Sequence, residues 1–92
     1  MEGLPRPWIA GTVIDAASDE VLADAAITAL DLVDDASVTV RSDAFGDFWV
    51  RGMAPDRKYR VAIGKAGYEA FLAIVTTTGD QDLGCVELKR TR

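Results

Sequence analysis

The fold of this chain depends on the stretch Ser18–Asp35, SDEVLADAAITALDLVDD, which can form either a helix or a strand. In the helical reading, Ser18 caps the N-terminus and the apolar side chains fall near one helical stripe. In the extended reading, Ala25, Ile27 and Ala29 share one face of a strand that follows a polar loop. Local propensity alone favours the helix, so the rest of the chain has to decide. The helical stripe consists of Val21, Leu22, Ala25, Ala29, Leu32 and Val33.

Six other segments carry strand signals, because they are short, rich in β-branched and aromatic residues, and separated by turn-forming residues. Alternation is clearest in Lys58–Lys65, where Tyr59, Val61 and Ile63 would share one face. A single helix among six strands would need a sheet face to cover, so this context favours a strand over Ala25–Leu32. The six segments are Trp8–Asp15, Val38–Ser42, Asp47–Met53, Lys58–Lys65, Phe71–Thr77 and Leu83–Lys89.

The composition indicates one folded domain and excludes several kinds of chemistry. Ninety-two residues with 49% hydrophobic content are enough for a single packed core. The lone Cys85 rules out an internal disulfide and any iron–sulfur or zinc site built from several cysteines of this chain. The sequence has no histidine, which removes the commonest general base and metal ligand. We therefore expect no catalytic residues and no cofactor in this chain.

The charge is acidic overall and unevenly distributed. The net charge of −5 argues against a nucleic-acid partner. Residues 1–40 carry eight acids and one base, whereas residues 41–65 carry six bases and three acids. These could be solvated surfaces of opposite sign or a charged docking surface. Neither a signal peptide nor a membrane span is recognisable, so the compartment stays open, with the cytoplasm slightly favoured.

The segment SDAFGDFWVRG, Ser42–Gly52, raises the question of a metal site, because two aspartates flank a glycine. A calcium loop needs more oxygen ligands than Asp43 and Asp47 supply. In a hairpin, Asp43 can accept a hydrogen bond from a backbone N–H two residues on, and Gly46 can adopt the positive φ of a tight turn. We therefore predict that this segment turns the chain and binds no ion.

A series of short motifs runs along the chain in the order Ile9-x-Gly11-x-Val13-x-Asp15, Leu22, Ala25-x-Ile27, Ser42-Asp43-x-x-Gly46-x-Phe48, Pro55, Tyr59-x-Val61, Gly67-Tyr68 and Val86-x-Leu88. Together these motifs resemble the carboxypeptidase regulatory-like domains of the transthyretin-like group. The resemblance implies an all-β, seven-stranded antiparallel Greek-key sandwich over residues 8–89, with a lead-in at 1–7 and a tail at 90–92. It also assigns Ala25–Leu32 to a strand. Two positions depart from the family pattern, since Asp24 and Asp56 stand where a glycine is usual.

A narrower resemblance concerns the runs Leu4–Val13 and Phe45–Trp49. They are similar to the C-terminal domain of iron–sulfur electron-transfer subunits in molybdopterin oxidoreductases such as pyrogallol-phloroglucinol transhydroxylase. This resemblance implies a parent subunit whose clusters lie outside this chain.

The alternation of side chains predicts both a core and a docking surface. Alternation points Trp8 and Trp49 outward beside basic residues, a composition typical of interface anchors, but one or both could instead fold back over an open edge of the sandwich and extend the core. We therefore predict an accessory domain that docks on other domains or subunits of a larger protein through Trp8, Trp49, Arg51, Arg57 and Arg60. The alternative is an extracellular carbohydrate- or peptide-binding module. The predicted core is Ile9, Val13, Ala25, Ile27, Val38, Val40, Phe48, Val50, Tyr59, Val61, Ile63, Val86 and Leu88.

Overall fold

A computed structural model describes residues 7–91 and confirms the all-β fold, with seven strands in two packed sheets. The lead-in up to Arg6 and the last residue of the predicted tail lie outside the described residues. Within residues 7–91 there is no helix long and apolar enough to cross a membrane. The strands are β1 Ile9–Asp15, β2 Ala26–Asp31, β3 Ser37–Arg41, β4 Asp47–Val50, β5 Lys58–Gly64, β6 Phe71–Thr76 and β7 Gln81–Leu88.

One sheet has three strands in the order β4-β1-β7, and the other has four in the order β3-β2-β5-β6. Four of the five strand pairs are antiparallel. The prediction of a fully antiparallel sandwich is wrong for the fifth pair, because β1 and β7 run parallel, with Ile9 opposite Gln81 and Asp15 opposite Leu88. A register shift between Ala10 and Thr12 interrupts this parallel ladder.

The ambiguous stretch contains a strand, Ala26–Asp31, and no helix. Ala25, Ile27 and Ala29 are buried, while the helical stripe is broken because Val21, Leu32 and Val33 are exposed. Ser18 caps no helix, since it lies in the β1–β2 loop and its backbone N–H donates to the Asp15 carboxylate. Strand β2 lies between β3 and β5 in the sheet, and the packing of its buried side chains outweighs the local helical preference of this segment.

The core lies between the two sheets and contains nearly every residue predicted for it. Val38 is the exception: it was predicted to point into the core but is 48% exposed. It lies on β3, an edge strand of the wider sheet, where the three-stranded sheet does not cover it completely. Leu22, Ala29, Met53 and Val75 complete the core from positions that the predicted set did not include.

Two aspartates form the same turn at the ends of β1 and β2. Asp15 accepts hydrogen bonds from the N–H groups of the second and third residues that follow it, at 2.7 and 3.2 Å. Asp31 does the same at 2.8 and 3.2 Å. In each turn the fourth residue after the aspartate, Asp19 or Asp35, has a positive φ. A carboxylate that bonds backbone N–H groups stabilises such a turn without glycine.

Asp24 and Asp56, which stand where the family usually has glycine, both adopt left-handed backbone conformations, with φ of 62° and 55°. The turn geometry that glycine permits is therefore present at both positions. Aspartate tolerates this conformation better than most residues, although at some cost in energy.

Candidate docking surfaces

Trp8, Trp49 and Arg51 form one cluster on the outside of the three-stranded sheet. The two indole rings meet edge to face, with centroids 6.2 Å apart and planes at 88°. The Arg51 guanidinium carbon lies 3.8 Å from the centroid of the Trp49 ring. Trp49 is 50% exposed. This is a cation–π stack supported by an aromatic pair, and it occupies one face of the Trp49 ring.

The outward side chains of the three-stranded sheet carry negative charge, and we call this surface the acidic face. Its acids are Asp47, Asp82 and Glu87, and Arg51, which stacks on Trp49, lies on the same side of the sheet. An open depression of about 540 Å³ beside β1 is lined by Trp49 and Asp82 and also by Arg41 of β3. Ile14 lies on the same side of β1 but is buried. The acidic face consists of Ala10, Thr12, Asp47, Trp49, Asp82, Cys85 and Glu87.

The outward side chains of the four-stranded sheet combine positive charge with exposed apolar residues, and we call this surface the basic face. Its strand positions carry Arg41, Lys58 and Arg60, of which Arg41 is paired with Asp24 at 3.4 Å. Leu72 and Ile74 are 64% and 57% exposed. The basic face consists of Ala26, Thr28, Leu30, Ser37, Thr39, Arg41, Lys58, Arg60, Ala62, Gly64, Leu72, Ile74 and Thr76.

The register of the four-stranded sheet places the apolar and basic residues side by side. Arg60 is directly opposite Ile74, and Ala62 is directly opposite Leu72. Leu30 lies opposite Arg60 on the other side, so the row reads Leu30, Arg60, Ile74 across three strands. The basic side chains therefore border an apolar strip instead of forming a separate patch.

Strand β6 forms an unprotected edge of this sheet. No strand among residues 7–91 pairs with its outer side. Residues 71–78 contain no charge, proline or glycine. Sheet edges are usually guarded by charges, prolines or bulges, because free backbone groups can pair with another chain. The β7 edge has such features, since it carries Asp82, Glu87 and a glycine with positive φ at position 84.

Arg57, one of the predicted docking residues, is held in ion pairs within the domain. Its Nη1 lies 2.8 Å from Asp31 Oδ2 and 2.6 Å from Asp34 Oδ2. The Asp31 side chain is almost fully buried. Its pKa lies below the usual range, chiefly because the Val33 N–H donates to the carboxylate, with help from Arg57. Arg57 thus closes the β2–β3 turn and is poorly placed to bind a partner.

A second buried carboxylate, that of Asp15 at the end of β1, forms an ion pair with Arg90 near the C-terminus. Asp15 Oδ2 accepts hydrogen bonds from the Tyr68 hydroxyl and from Arg90 Nε, each at 2.7 Å. These bonds, with that of Tyr68 largest, hold the pKa of Asp15 well below its ordinary value. The Thr91 N–H donates to the Gly67 carbonyl at 2.9 Å. Arg90 and Thr91, which the sequence predicts to be a tail, are thus bonded to the sandwich.

The Ser42–Gly52 segment has the turn geometry that the sequence predicted. Asp43 Oδ1 accepts hydrogen bonds from the N–H groups of Phe45 and Asp47, at 2.9 and 3.0 Å, and Gly46 has a φ of 78°. The Asp47 carboxylate is engaged with the Thr12 hydroxyl at 2.6 Å. No group of three or more metal-ligating side chains occurs in the part of the chain that the structure describes.

The five predicted docking residues therefore do not form one surface. Trp8, Trp49 and Arg51 lie together, while Arg60 lies on the opposite sheet. Sequence reasoning did not single out Leu72 and Ile74, although their alternation with Phe71, Ala73 and Val75 gives the signal. It also missed the similar turns at Asp15 and Asp31. The signal was a repeated spacing, because each strand-ending aspartate is followed four residues later by a second aspartate.

The sequence profile of the carboxypeptidase regulatory-like domain matches residues 8–87. The chain belongs to this family. The sequence motifs predicted membership of the carboxypeptidase regulatory-like family, and the profile match confirms this prediction. No curated protein matches the chain at a significant level.

Solved structures place this carboxypeptidase regulatory-like domain among β-sandwiches. It resembles 3-chlorocatechol 1,2-dioxygenase from Rhodococcus opacus 1CP, with 13% identity, a TM-score of 0.73, and coverage of 98% of this chain and 62% of that one. The C-terminal domain of the shaft pilin SpaA from Lactobacillus rhamnosus GG gives 13% identity, a TM-score of 0.70, and coverage of 96% and 100%.

A third similar structure is a type II cohesin–X-dockerin complex from Acetivibrio cellulolyticus. A chain of this complex has 23% identity and a TM-score of 0.59, with coverage of 86% of this chain and 52% of that one. This chain thus spans less than two thirds of the dioxygenase and of the cohesin–dockerin component. At these identities the likeness concerns the fold alone, so neither dioxygenase chemistry nor cohesin binding follows for this domain.

Proposed function

We propose that this chain is a non-catalytic accessory domain that docks on a neighbouring protein domain or subunit through its basic face and the β6 edge. The observation that carries the proposal is the exposure of Leu72 and Ile74, at 64% and 57%, on a strand edge without charges. Exposed apolar side chains with arginine beside them are typical of protein interfaces.

The state of the acidic residues supports a non-catalytic role. Asp15 and Asp31, the two most buried carboxylates, are committed to turn N–H groups and to arginine, and both have lowered pKa values. A general acid or base working near neutral pH needs a pKa shifted toward 7, in the opposite direction. The sequence has no histidine to take that role.

We further propose that the parent protein is the electron-transfer subunit of an oxidoreductase, with the iron–sulfur clusters in a part that is not included in this chain. The support for this finer statement is the similarity of the Leu4–Val13 and Phe45–Trp49 runs to such subunits. The chain has a single cysteine, so this domain would contribute packing and would not bind the clusters.

The alternative of a carbohydrate-binding module has less support. Sugar binding by stacking needs a free aromatic face, and Arg51 already covers one face of Trp49. Trp8 meets Trp49 nearly at right angles, so the two rings do not form a flat platform. Titration with mono- and oligosaccharides should leave the tryptophan emission unchanged, and a saturable shift would favour the alternative.

Site-directed labelling tests the docking role. In a Cys85→Ser background, Ile74→Cys should react rapidly with a maleimide in the isolated, purified chain. It should react slowly in the complex that the chain forms with its partner in cells. Glu20→Cys, on the exposed β1–β2 loop away from β6, is the control and should react at the same rate in both. Equal rates for Ile74→Cys in the two states would refute docking through this face.

A further inference from the structure

Strand β6 has the composition of an interior strand but lies at the edge of its sheet. Residues 71–75 are all apolar, and burial alternates along them, so that Leu72 and Ile74 face solvent while the other three face inward. Near-continuous apolar runs are typical of strands that are covered on both faces. No strand among residues 7–91 pairs with the outer side of β6. An additional strand at this edge would give β6 the surroundings that its sequence favours.

The backbone of β6 presents hydrogen-bonding groups to its free side at alternate residues. The Thr77 N–H donates to the Arg57 carbonyl at 2.9 Å, in continuation of the β5–β6 ladder. Because successive residues of a strand direct their N–H and C=O groups to opposite sides, Leu72, Ile74 and Thr76 direct theirs away from β5. Each of these three residues offers one donor and one acceptor to an incoming strand.

Two basic side chains on the neighbouring strand indicate the chemistry of the incoming strand. Lys58 lies opposite Thr76, and Arg60 lies opposite Ile74, both on the solvent side of β5. Neither base forms an ion pair within residues 7–91. A strand added beside β6 would lie about 5 Å from β6 and about 10 Å from β5. The flexible lysine side chain can reach an acid on that strand across the small Thr76, whereas Arg60 has the bulkier Ile74 in front of it.

We propose that β6 accepts an antiparallel strand from the partner, with apolar residues opposite Leu72 and Ile74 and an acidic residue opposite Thr76. This inference rests on the proposed docking function and specifies the segment that the partner contributes. The backbone hydrogen bonds supply affinity, and the side chains at alternate positions supply selectivity. The acid neutralises Lys58, and the apolar residues cover the two aliphatic side chains that β6 exposes.

A seven-residue peptide, Thr-Glu-Thr-Val-Thr-Val-Thr, tests the proposal with the purified chain. In antiparallel register, its glutamate lies opposite Thr76 and its two valines lie opposite Ile74 and Leu72. The anisotropy of a fluorescein label on the peptide should rise to saturation as the chain is raised to about 1 mM, the weak end of specific binding. The absence of a saturable rise would overturn strand addition. Slow labelling of Ile74→Cys in the cellular complex would then still support docking through side chains of the basic face.

Methylation of single peptide nitrogens distinguishes strand addition from non-specific apolar binding. The fourth residue of the peptide, opposite Ile74, directs its N–H toward β6, whereas the fifth residue directs its N–H away. N-methylation of the fourth residue should weaken binding by at least about fivefold, because a backbone hydrogen bond is lost. N-methylation of the fifth residue, the matched control, should change the affinity little. Equal effects at the two positions would show that the peptide does not pair with β6.

An exchange of charges tests the acid opposite Thr76. Replacing the peptide's glutamate with lysine should weaken binding to the unaltered chain by about 3–10-fold. Lys58→Glu should reverse this preference, so that the lysine peptide binds more tightly than the glutamate peptide. Arg41→Glu, the control, changes the net charge equally at the opposite edge of the same sheet and should leave the preference for glutamate in place. If Lys58→Glu leaves that preference unchanged, the proposed position of the acid is wrong.

Sedimentation velocity of the chain alone distinguishes the proposed partner from a second copy. Residues 71–78 carry no charge, so two β6 strands paired with each other would bring no acid to Lys58 or Arg60. The chain should therefore remain monomeric at concentrations at which the glutamate peptide binds. A dimer that Ile74→Lys abolishes would make β6 of a second copy the partner and would overturn the proposal.

Discussion

Four glycines distinguish two causes of destabilisation when glycine is replaced: backbone strain at a positive φ, and a steric clash between the added Cβ and neighbouring atoms. Gly46 has a φ of 78°, and a Cβ there would lie 2.7 Å from the Val13 carbonyl oxygen and 3.0 Å from the Val21 Cβ. Gly67 has a φ of 86° but no atom within 4 Å of that Cβ. Gly11 has no positive φ, and its Cβ would lie 2.9 Å from Phe48 and 3.0 Å from the Gly84 oxygen. Gly64 has neither constraint.

Each alanine substitution then has a distinct expected cost. A left-handed conformation costs a non-glycine residue about 1–2 kcal/mol, which is the expected loss for Gly67→Ala. Overpacking costs about 1–3 kcal/mol, which is the expected loss for Gly11→Ala. Gly46→Ala combines both and should lose about 2–5 kcal/mol. Gly64→Ala should be neutral or stabilise by up to about 1 kcal/mol, because alanine restricts the unfolded chain.

The clash at Gly46 is difficult to relieve because it involves backbone that is already hydrogen-bonded. The Val13 carbonyl accepts from the Leu22 N–H at 2.8 Å, and the Gly46 carbonyl accepts from the Val13 N–H at 2.8 Å. Moving either group away from a new methyl disturbs both bonds. Domains of this size have a free energy of unfolding of about 5–15 kcal/mol, so Gly46→Ala removes a large share of it.

Urea unfolding followed by circular dichroism measures the four values, and thermal melts supply a second scale. A loss of about 2–5 kcal/mol corresponds to a fall in Tm of roughly 10–30 °C for a domain of this length. If Gly46→Ala costs no more than Gly67→Ala, the close approach of the β3–β4 turn to β1 is not rigid. If Gly67→Ala is also neutral, the assigned left-handed conformations are wrong.

Three further predictions concern the aspartates. Asp56→Gly should raise the free energy of unfolding by up to about 1 kcal/mol and Asp56→Ala should lower it, as urea midpoints will show. The lowered pKa values of Asp15 and Asp31 stabilise the fold above about pH 4. Stability should fall as the pH drops below that value, and less steeply in their asparagine variants. Millimolar calcium should leave the Tm unchanged, because Asp43 and Asp47 serve the turn.

The sequence predicted the fold well because the inward positions of most strands are apolar at every second residue. Phe48 and Val50, or Tyr59, Val61 and Ile63, are buried as that alternation requires. The prediction that Val38 is buried was wrong because alternation shows which side of a strand a residue occupies, but not where the strand lies in the sheet. An inward residue on an edge strand can have nothing opposite it.

The docking surface was harder to predict, because it depends on which strands are neighbours. In the sequence, Trp49 and Arg60 are both outward residues on consecutive strands, β4 and β5. In the fold these two strands belong to different sheets. Arg57 looks like a free base until the fold brings Asp31 and Asp34 to it. The parallel pairing of β1 and β7 joins residues more than seventy positions apart, and no local pattern announces it.

The parallel pairing of the first and last strands has a mechanical consequence. The chain enters β1 at one end of the sandwich and leaves β7 at the other. A force that pulls the two ends apart makes these strands slide lengthwise past each other, so the hydrogen bonds of the ladder bear the load together and do not open one by one. The domain should therefore resist stretching between tethered neighbours far better than its small size suggests.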